Sequence, residues 1–351
     1  MKRSITIALD CMGGDGAPQH EIAGAAIARE RYPHARFLLF GREQALEPLL
    51  DQHPALAEAS ELRPTTGVVA MEDRPAQAVR RGRETSMGQA IAAVHTGEAD
   101  VAVSAGNTGA LMGLAKVMLK TMPGIDRPAL ATLIPTYHGE SAMLDLGANS
   151  SCGEDNLVEF AIMGAAFART TLGLERPSVA LLNIGSEDVK GTETLRAAAE
   201  RLRQTDLPLV FAGFVEGDKI PFGTVDVVVT DGFTGNVALK TLEGTARFIA
   251  RLIGDAFRSS LMAKLGYLFA RRGIQQLRSH LDPNKHNGAV MLGLNGLVVK
   301  SHGSANPEGI ATAIGVAVDM ARHELTKLIA ADLAMMGTGR MERADKVGND
   351  G

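Results

Sequence analysis

The stretch Asp226-Val-Val-Val-Thr-Asp-Gly-Phe-Thr-Gly-Asn-Val-Ala-Leu-Lys-Thr-Leu-Glu-Gly244 sets the strongest limit on what this chain can become. Val227–Val229 is a β-branched run of the length that suits a buried parallel strand. Thr230–Asn236 is turn-forming, and a helical pattern opens at Val237 with Asn236 in the cap position. Gly232 and Gly235 permit positive φ and close backbone approach. A strand that feeds a polar, glycine-bearing loop into a helix start leaves the first helical N–H groups without partners, which suits an anion. One such unit alone reads equally well as a plain capped turn.

The unit recurs. Asp100–Ser104 leads through Ala105-Gly-Asn-Thr-Gly-Ala110 into a helix reaching Leu119. Ile5–Leu9 leads through Asp10-Cys-Met-Gly-Gly-Asp-Gly-Ala-Pro18 into a helix over Glu21–Arg31. Ser178–Asn183 leads through Ile184–Gly191 into a helix capped by Thr192. Alternation of this kind predicts an α/β fold, a mostly parallel sheet with helices on both faces. The glycine-bearing turns are then expected at one rim of the sheet, around a shared crevice. Further strands are expected at Arg36–Phe40, Gly67–Ala70, Pro128–Pro135, Ala142–Leu146 and Leu209–Ala212. Val290–Leu294 and Leu297–Ser301 flank Asn295-Gly296, a hairpin signal. Ser86 is expected to cap a helix to His95, Asp155 or Asn156 to start one to Arg169, and Asn306-Pro307 to open one to about Ala330.

With 351 residues and 45% hydrophobic content, the chain can build one large α/β domain over 1–336, in one body or two lobes, with a polar tail at 337–351. Aromatic residues are 4% and tryptophan is absent, which weighs against a base-stacking platform. A net charge of −4 gives no basic footprint, so no nucleic acid partner is expected. Cys11 and Cys152 are too few for a disulfide framework or a cysteine-rich metal site, and no cofactor or metal is expected. The basic start stops being apolar at Asp10, so it reads as a first strand rather than a signal peptide. No stretch approaches ~18 uncharged apolar residues. The expected location is cytoplasmic.

Arg247–Arg278 is a basic amphipathic segment, read as one helix or a hairpin bending near Gly266. Its Arg258, Leu261, Lys264, Leu265, Leu268 and Arg271 are candidates for contact with a membrane surface or an acidic protein. A dimer seam, or a surface helix with its stripe in the core, fits the same pattern. Among single residues, Lys190 stands beside Gly191 just before a helix start at a strand's carboxyl end, where a point charge reinforces an anion site. Cys152 lies near a helix start as a candidate nucleophile, without a neighbouring histidine, so a small buried thiol is the plainer reading. His302 is a candidate acid, base or phosphate donor, and Arg80, Arg81 and Arg83 are candidate anion contacts or a solvated face. Gly13, Gly14 and Gly16 have the wrong spacing for a dinucleotide fingerprint. Walker A, HExxH and GxSxG patterns are missing from the sequence.

Six stretches carry a resemblance: Asp10-Cys-Met-Gly-Gly-Asp, Ser104-Ala-Gly-Asn-Thr-Gly-Ala, Leu144-Asp-Leu-Gly-Ala-Asn, Leu182-Asn-Ile-Gly-Ser-Glu, Thr230-Asp-Gly-Phe-Thr-Gly-Asn and Val299-Lys-Ser-His-Gly. As an ordered set they resemble the PlsX phosphate acyltransferases of bacterial phospholipid synthesis. The match stops at about Met336. The resemblance implies acyl transfer from acyl carrier protein to inorganic phosphate, giving acyl phosphate for a glycerol-3-phosphate acyltransferase. It implies a three-layer α/β/α fold like the isocitrate and isopropylmalate dehydrogenases and phosphotransacetylase, a homodimer, and peripheral membrane association. It implies Lys190 and Asn236 as catalytic positions. Gly106, Asn107, Thr108, Gly109, Asp231, Gly232, Thr234, Gly235 and His302 are then the expected phosphate-binding set. Two other functions compete: a phosphate acetyltransferase-like enzyme using coenzyme A thioesters, and a non-catalytic membrane adaptor. A decarboxylating dehydrogenase would need a metal-binding aspartate cluster and a nucleotide site that the sequence does not offer.

Overall fold

A computed structural model describes residues 4–280 and 282–335. Leu281 of the expected helix stop, the basic start before Ser4, the side chain of Arg278 and the tail from Gly337 lie outside the described residues. Short apolar runs form the strands β1 (Thr6–Asp10), β2 (Arg36–Gly41), β3 (Ser60–Pro64), β4 (Val101–Ser104), β5 (Ala129–Thr136), β6 (Gly139–Leu144), β7 (Ser178–Asn183), β8 (Val210–Glu216), β9 (Val227–Val229), β10 (Ala289–Leu292) and β11 (Leu297–Lys300). They make one sheet in the order β3-β2-β1-β4-β11-β10-β5-β6-β9-β7-β8. The helices are α1 (Gln19–Arg31), α2 (Glu43–Leu50), α3 (Pro54–Ala57), α4 (Pro75–Arg81), α5 (Ser86–Thr96), α6 (Thr108–Leu119), α7 (Glu154–Leu172), α8 (Glu193–Arg203), α9 (Gly232–Arg258), α10 (Leu261–His280) and α11 (Pro307–Arg322).

Alternation along the strands divides the interior into two cores, one on each face of the sheet. Ile7, Leu9, Val101 and Val103 pack into one with α1, α7, α8 and α11. Ala8 and Ala102 face the other, with α5 and α6 and, at its edge, Ala238, Leu239 and Leu242 of α9. Both strand faces are covered, which is why the central strands read as continuous apolar runs.

Strand sense carries the main surprise. β11–β10, β10–β5 and β5–β6 are antiparallel, and the remaining pairings are parallel. Three consecutive reversals leave β1, β2, β3, β4 and β11 running one way, and β6, β7, β8 and β9 the other. Turns after β1, β4 and β11 therefore leave at one edge, and turns after β6, β7 and β9 at the opposite edge. The expectation of a single rim is corrected: a periodicity argument sees strands but not their polarity.

Smaller corrections have local causes. Gly67–Ala70 forms no strand; Gly67 makes only an isolated bridge to Thr85. The third strand is Ser60–Pro64, a polar edge strand paired only with β2, so no apolar run marks it. Thr85, not Ser86, caps α5, its Oγ1 accepting from Gly88 N at 3.2 Å. Asp231, not Asn236, caps α9, so the turn 232–235 is already helix. α7 starts at Glu154, and Asn156 Oδ1 accepts from Gly153 N. The basic segment breaks at Ser259-Ser260 and passes through Gly266 as helix. The last long helix stops at Arg322, turns at Glu324 with φ of +52°, and resumes over 325–335. Caps at Thr192 and Asn306 form as expected.

Candidate active site

At the first edge, side chains tie three turns together. Ser104 Oγ donates to Asp10 Oδ2 at 2.7 Å and accepts from Gly106 N at 3.1 Å. A Cβ on Gly13 would stand 2.7 Å from both Asp10 Oδ2 and Gly106 N, so only glycine lets these turns meet. Lys300 Nζ donates to Ala105 O at 3.2 Å and to Ser301 O, clamping the turns after β4 and β11. Asn287 Nδ2 donates to Ser301 Oγ at 2.7 Å, while its Oδ1 accepts from His302 N at 2.9 Å. Beneath them Glu21 is only 2% exposed, and its Oε2 has no partner.

Burial governs the charges here. It raises the Asp10 carboxyl, and it pushes Glu21 up to about 8. Burial, then the charge of Lys240, brings Lys300 down to about 8. The same two causes lower His302.

At the opposite edge Asp145 is the organiser. It is fully buried and accepts from Leu130 N at 3.0 Å, Ala148 N at 2.9 Å, and Asn149 N and Nδ2, both at 2.8 Å. Asn149 O accepts from Gly232 N at 2.8 Å, which docks the foot of α9 on the turn after β6. A Cβ on Gly235 would lie 1.9 Å from Asp145 O, so the helix enters backbone to backbone. Asp231 accepts from Thr234 N at 2.9 Å and from Thr234 Oγ1 at 2.7 Å. Lys190 is held by its main chain: its N donates to Glu187 O at 3.0 Å, and its O accepts from Asn183 Nδ2 at 3.2 Å. Its side chain is exposed, as is that of Asn236.

The predicted residues thus fall in two groups. Lys190, Asp231, Gly232, Thr234, Gly235 and Asn236 lie at the edge where β7 and β9, paired neighbours, end. Gly106, Asn107, Thr108, Gly109 and His302 lie at the other. Helix α9 links them, since it starts at the first of these groups and carries Lys240 within electrostatic reach of Lys300 and His302. Two expected donor sets are partly spent. Asp231 caps α9, and Asn107 caps α6 through Ala110 N at 3.0 Å while donating to Met71 O at 2.7 Å and Asp73 O at 3.1 Å. Cys152 is no thiolate: burial, then Asp145 and Asp231, push its thiol up to about 11. Arg80, Arg81 and Arg83 stand exposed at the end of α4 and just beyond it. Sequence reasoning missed Glu21, Asp145, Lys240 and Lys300 as site components. Asp145 and Lys300 sit inside the recurring motifs, and that placement was the available signal.

The profile of the fatty acid synthesis protein family matches residues 5–328. A phosphate acyltransferase of Parvibaculum lavamentivorans is 54% identical over 352 residues, covering 98% of each chain. One from Paramagnetospirillum magneticum is 53% identical over 323 residues, covering 92% of each. The chain belongs to the PlsX phosphate acyltransferase family. As a member it is an enzyme that transfers an acyl group to phosphate, and the adaptor reading falls. Among solved structures, a phosphotransacetylase from Streptococcus pyogenes superposes with a TM-score of 0.60 at 18% identity, over 91% of this chain and 94% of that one. A branched-chain phosphotransacylase from Enterococcus faecalis gives 0.56 at 16%, over 90% and 99%. At such identities the likeness concerns the fold. The stretches that carry the resemblance thus lie at two edges of one sheet, with α9 starting at one of them.

Proposed function

We propose that the acyl donor is acyl carrier protein, and that Lys190 and Asn236 act on the reacting groups. The observation that carries this reading is their placement. Both side chains are exposed beyond the carboxyl ends of adjacent parallel strands, and Asn236 stands against Gly147 of the turn that buried Asp145 fixes. Phosphate needs no strong base, because near neutral pH it is already a nucleophile. A phosphate oxygen attacks the thioester carbonyl, the C–S bond breaks, and the proton of hydrogen phosphate ends on the departing thiol. Lys190 holds the dianion as a mobile point charge. Asn236 Nδ2 donates to the carbonyl oxygen as it becomes an oxyanion. Incubation with long-chain acyl carrier protein and labelled phosphate should give a hydroxylamine-trapped acyl product. A matching coenzyme A thioester that outperforms the carrier would overturn the donor assignment.

The α9–α10 hairpin is the proposed route to the bilayer. Leu261 is 79% exposed and Phe269 92%, with Leu265 and Leu268 also open to solvent and Arg258, Lys264 and Arg271 beside them. Among the described residues no helix is long and apolar enough to cross a membrane, so such a hairpin lies on a surface. Replacing Leu261 and Leu265 together with glutamate should release the enzyme from anionic vesicles in a sedimentation assay. Binding equal to the parent enzyme's would assign the apolar face to another occupant, such as the second copy of a homodimer. The acyl phosphate then serves a glycerol-3-phosphate acyltransferase at the same membrane.

A further inference from the structure

The turn after β6 uses nearly every amide it has. Asp145 N donates to Thr230 O at 3.1 Å, and Leu146 N to Leu130 O at 3.0 Å. Ala148 N and Asn149 N donate to the Asp145 carboxylate at 2.9 and 2.8 Å. Gly147 N is the exception. Among the described residues nothing accepts from it, and Gly147 is exposed. Its φ of +124° lies in the region that favours glycine, so the wrapping of this turn around Asp145 depends on glycine at that point.

The neighbour of that amide is Asn236. A Cβ built on Gly147 would stand 3.7 Å from Asn236 Cβ and Cγ and 3.9 Å from its Oδ1, and these are the nearest atoms beyond the adjoining residues. The carboxamide of Asn236 likewise has no hydrogen-bond partner among the described residues. Gly232 N donates to Asn149 O at 2.8 Å and Gly235 packs against Asp145 O, so the turn and the foot of α9 form one rigid unit. Two unspent N–H donors, one from the main chain and one from a side chain, thus stand side by side on a buried framework. β9 lies between β6 and β7, and all three run parallel. The turn that holds Gly147 and the turn that holds Lys190 therefore flank the foot of α9 on opposite sides.

We infer that Gly147 N–H and Asn236 Nδ2 form a two-donor oxyanion hole, which makes the main-chain amide of Gly147 a further catalytic group of the acyl transfer. The inference rests on the proposed role of Asn236 and adds the second donor. A phosphate oxygen attacks the thioester carbon from the Lys190 side. The carbonyl π electrons move onto oxygen, and that oxygen sits between the two donors. Collapse restores the carbonyl and breaks the C–S bond, and the proton of hydrogen phosphate ends on the departing thiol. Donors fixed before the reaction need no reorganisation as the charge develops.

Hydrogen exchange on the wild-type enzyme tests the contact. Of the amides in 145–149, only that of Gly147 should exchange rapidly in the free protein, since the other four are bonded. A long-chain acyl carrier protein thioester, bound in phosphate-free buffer so that it stays intact, should slow that amide about tenfold, the worth of one ordinary hydrogen bond. Unchanged exchange at 147 with the donor bound would overturn the inference. A second experiment puts glycolic acid in place of Gly147 by nonsense suppression, which turns the amide into an ester and removes the N–H alone. The expected kcat is about a hundred- to a thousandfold lower, with the KM for phosphate within a few-fold. The melting temperature should hold, because the lost N–H has no partner among the described residues. An ester enzyme whose kcat stays within a few-fold of the parent's, beside an Asn236→Ala enzyme that has lost its rate, also overturns it. If Asn236→Ala keeps its kcat as well, the proposed role of Asn236 falls instead.

Discussion

Changing Asn236 to alanine is expected to lower acyl phosphate formation about a hundred- to a thousandfold, the usual cost of losing one oxyanion donor. The melting temperature should hold, because the side chain is exposed and the cap of α9 is Asp231. Alanine is also the better residue inside a helix. Lys190→Ala should act differently, chiefly by raising the phosphate concentration needed for half-maximal rate. Steady-state kinetics at varied phosphate separates the two. An alanine variant at 236 that keeps its kcat within a few-fold would remove the proposed oxyanion role, and an unchanged phosphate dependence at 190 would remove the positioning role.

The second large effect concerns Glu21 and pH. Its carboxyl titrates near 8 in the folded enzyme against an ordinary value of 4.5, chiefly because burial disfavours the charge. Between those values the unfolded chain releases the proton and the folded one keeps it, so stability falls as pH rises from about 4.5 to about 8. The full shift corresponds to roughly 3–5 kcal/mol. Lys300 has the opposite slope. Its folded pKa of about 8 lies below the ordinary 10.5, so the unfolded chain binds more protons across that interval and stability recovers with rising pH. Taken alone the two groups would place a minimum of stability near pH 8, and the thiols of Cys11 and Cys152, raised by burial, oppose the alkaline recovery above pH 9. Glu21→Gln mimics the protonated carboxyl and should flatten the acid-side limb while leaving the alkaline limb intact. Denaturant midpoints at pH 5, 6, 7 and 8 decide the matter; parallel curves for the two proteins would mean that Glu21 ionises normally in the fold.

Much of this enzyme was legible in its sequence because the signals are local. Val227–Val229 is too β-branched to be other than a buried strand, and Thr192 and Asn306 cap the helices where their side chains predict. The hairpin at Asn295-Gly296 is present, although its connection spans four residues, 293–296, rather than two. What escaped was relational. A helix cap can stand several residues before the pattern opens, as Asp231 does, because the glycine-rich first turn of α9 is tied to Asn149 O and packs Gly235 against Asp145 O rather than following apolar periodicity. The ladder β11-β10-β5-β6 alternates in sense, and no residue in those strands encodes which partner will lie alongside. The site was read as one rim for that reason. Glu21 escaped on similar grounds, since an acid in the first turn of a helix ordinarily points to solvent and favours the helix N-terminus.

The position of β10 and β11 has a consequence for how the chain is made. They are the last strands among the described residues, yet they sit between β4 and β5, in the middle of the sheet. Until roughly residue 300 has left the ribosome, β3-β2-β1-β4 and β5-β6-β9-β7-β8 have no keystone between them. Assembly of the sheet is thus deferred until these strands are made, and a nascent chain stopped short of Ala289 would be cut into two unjoined arcs rather than merely trimmed.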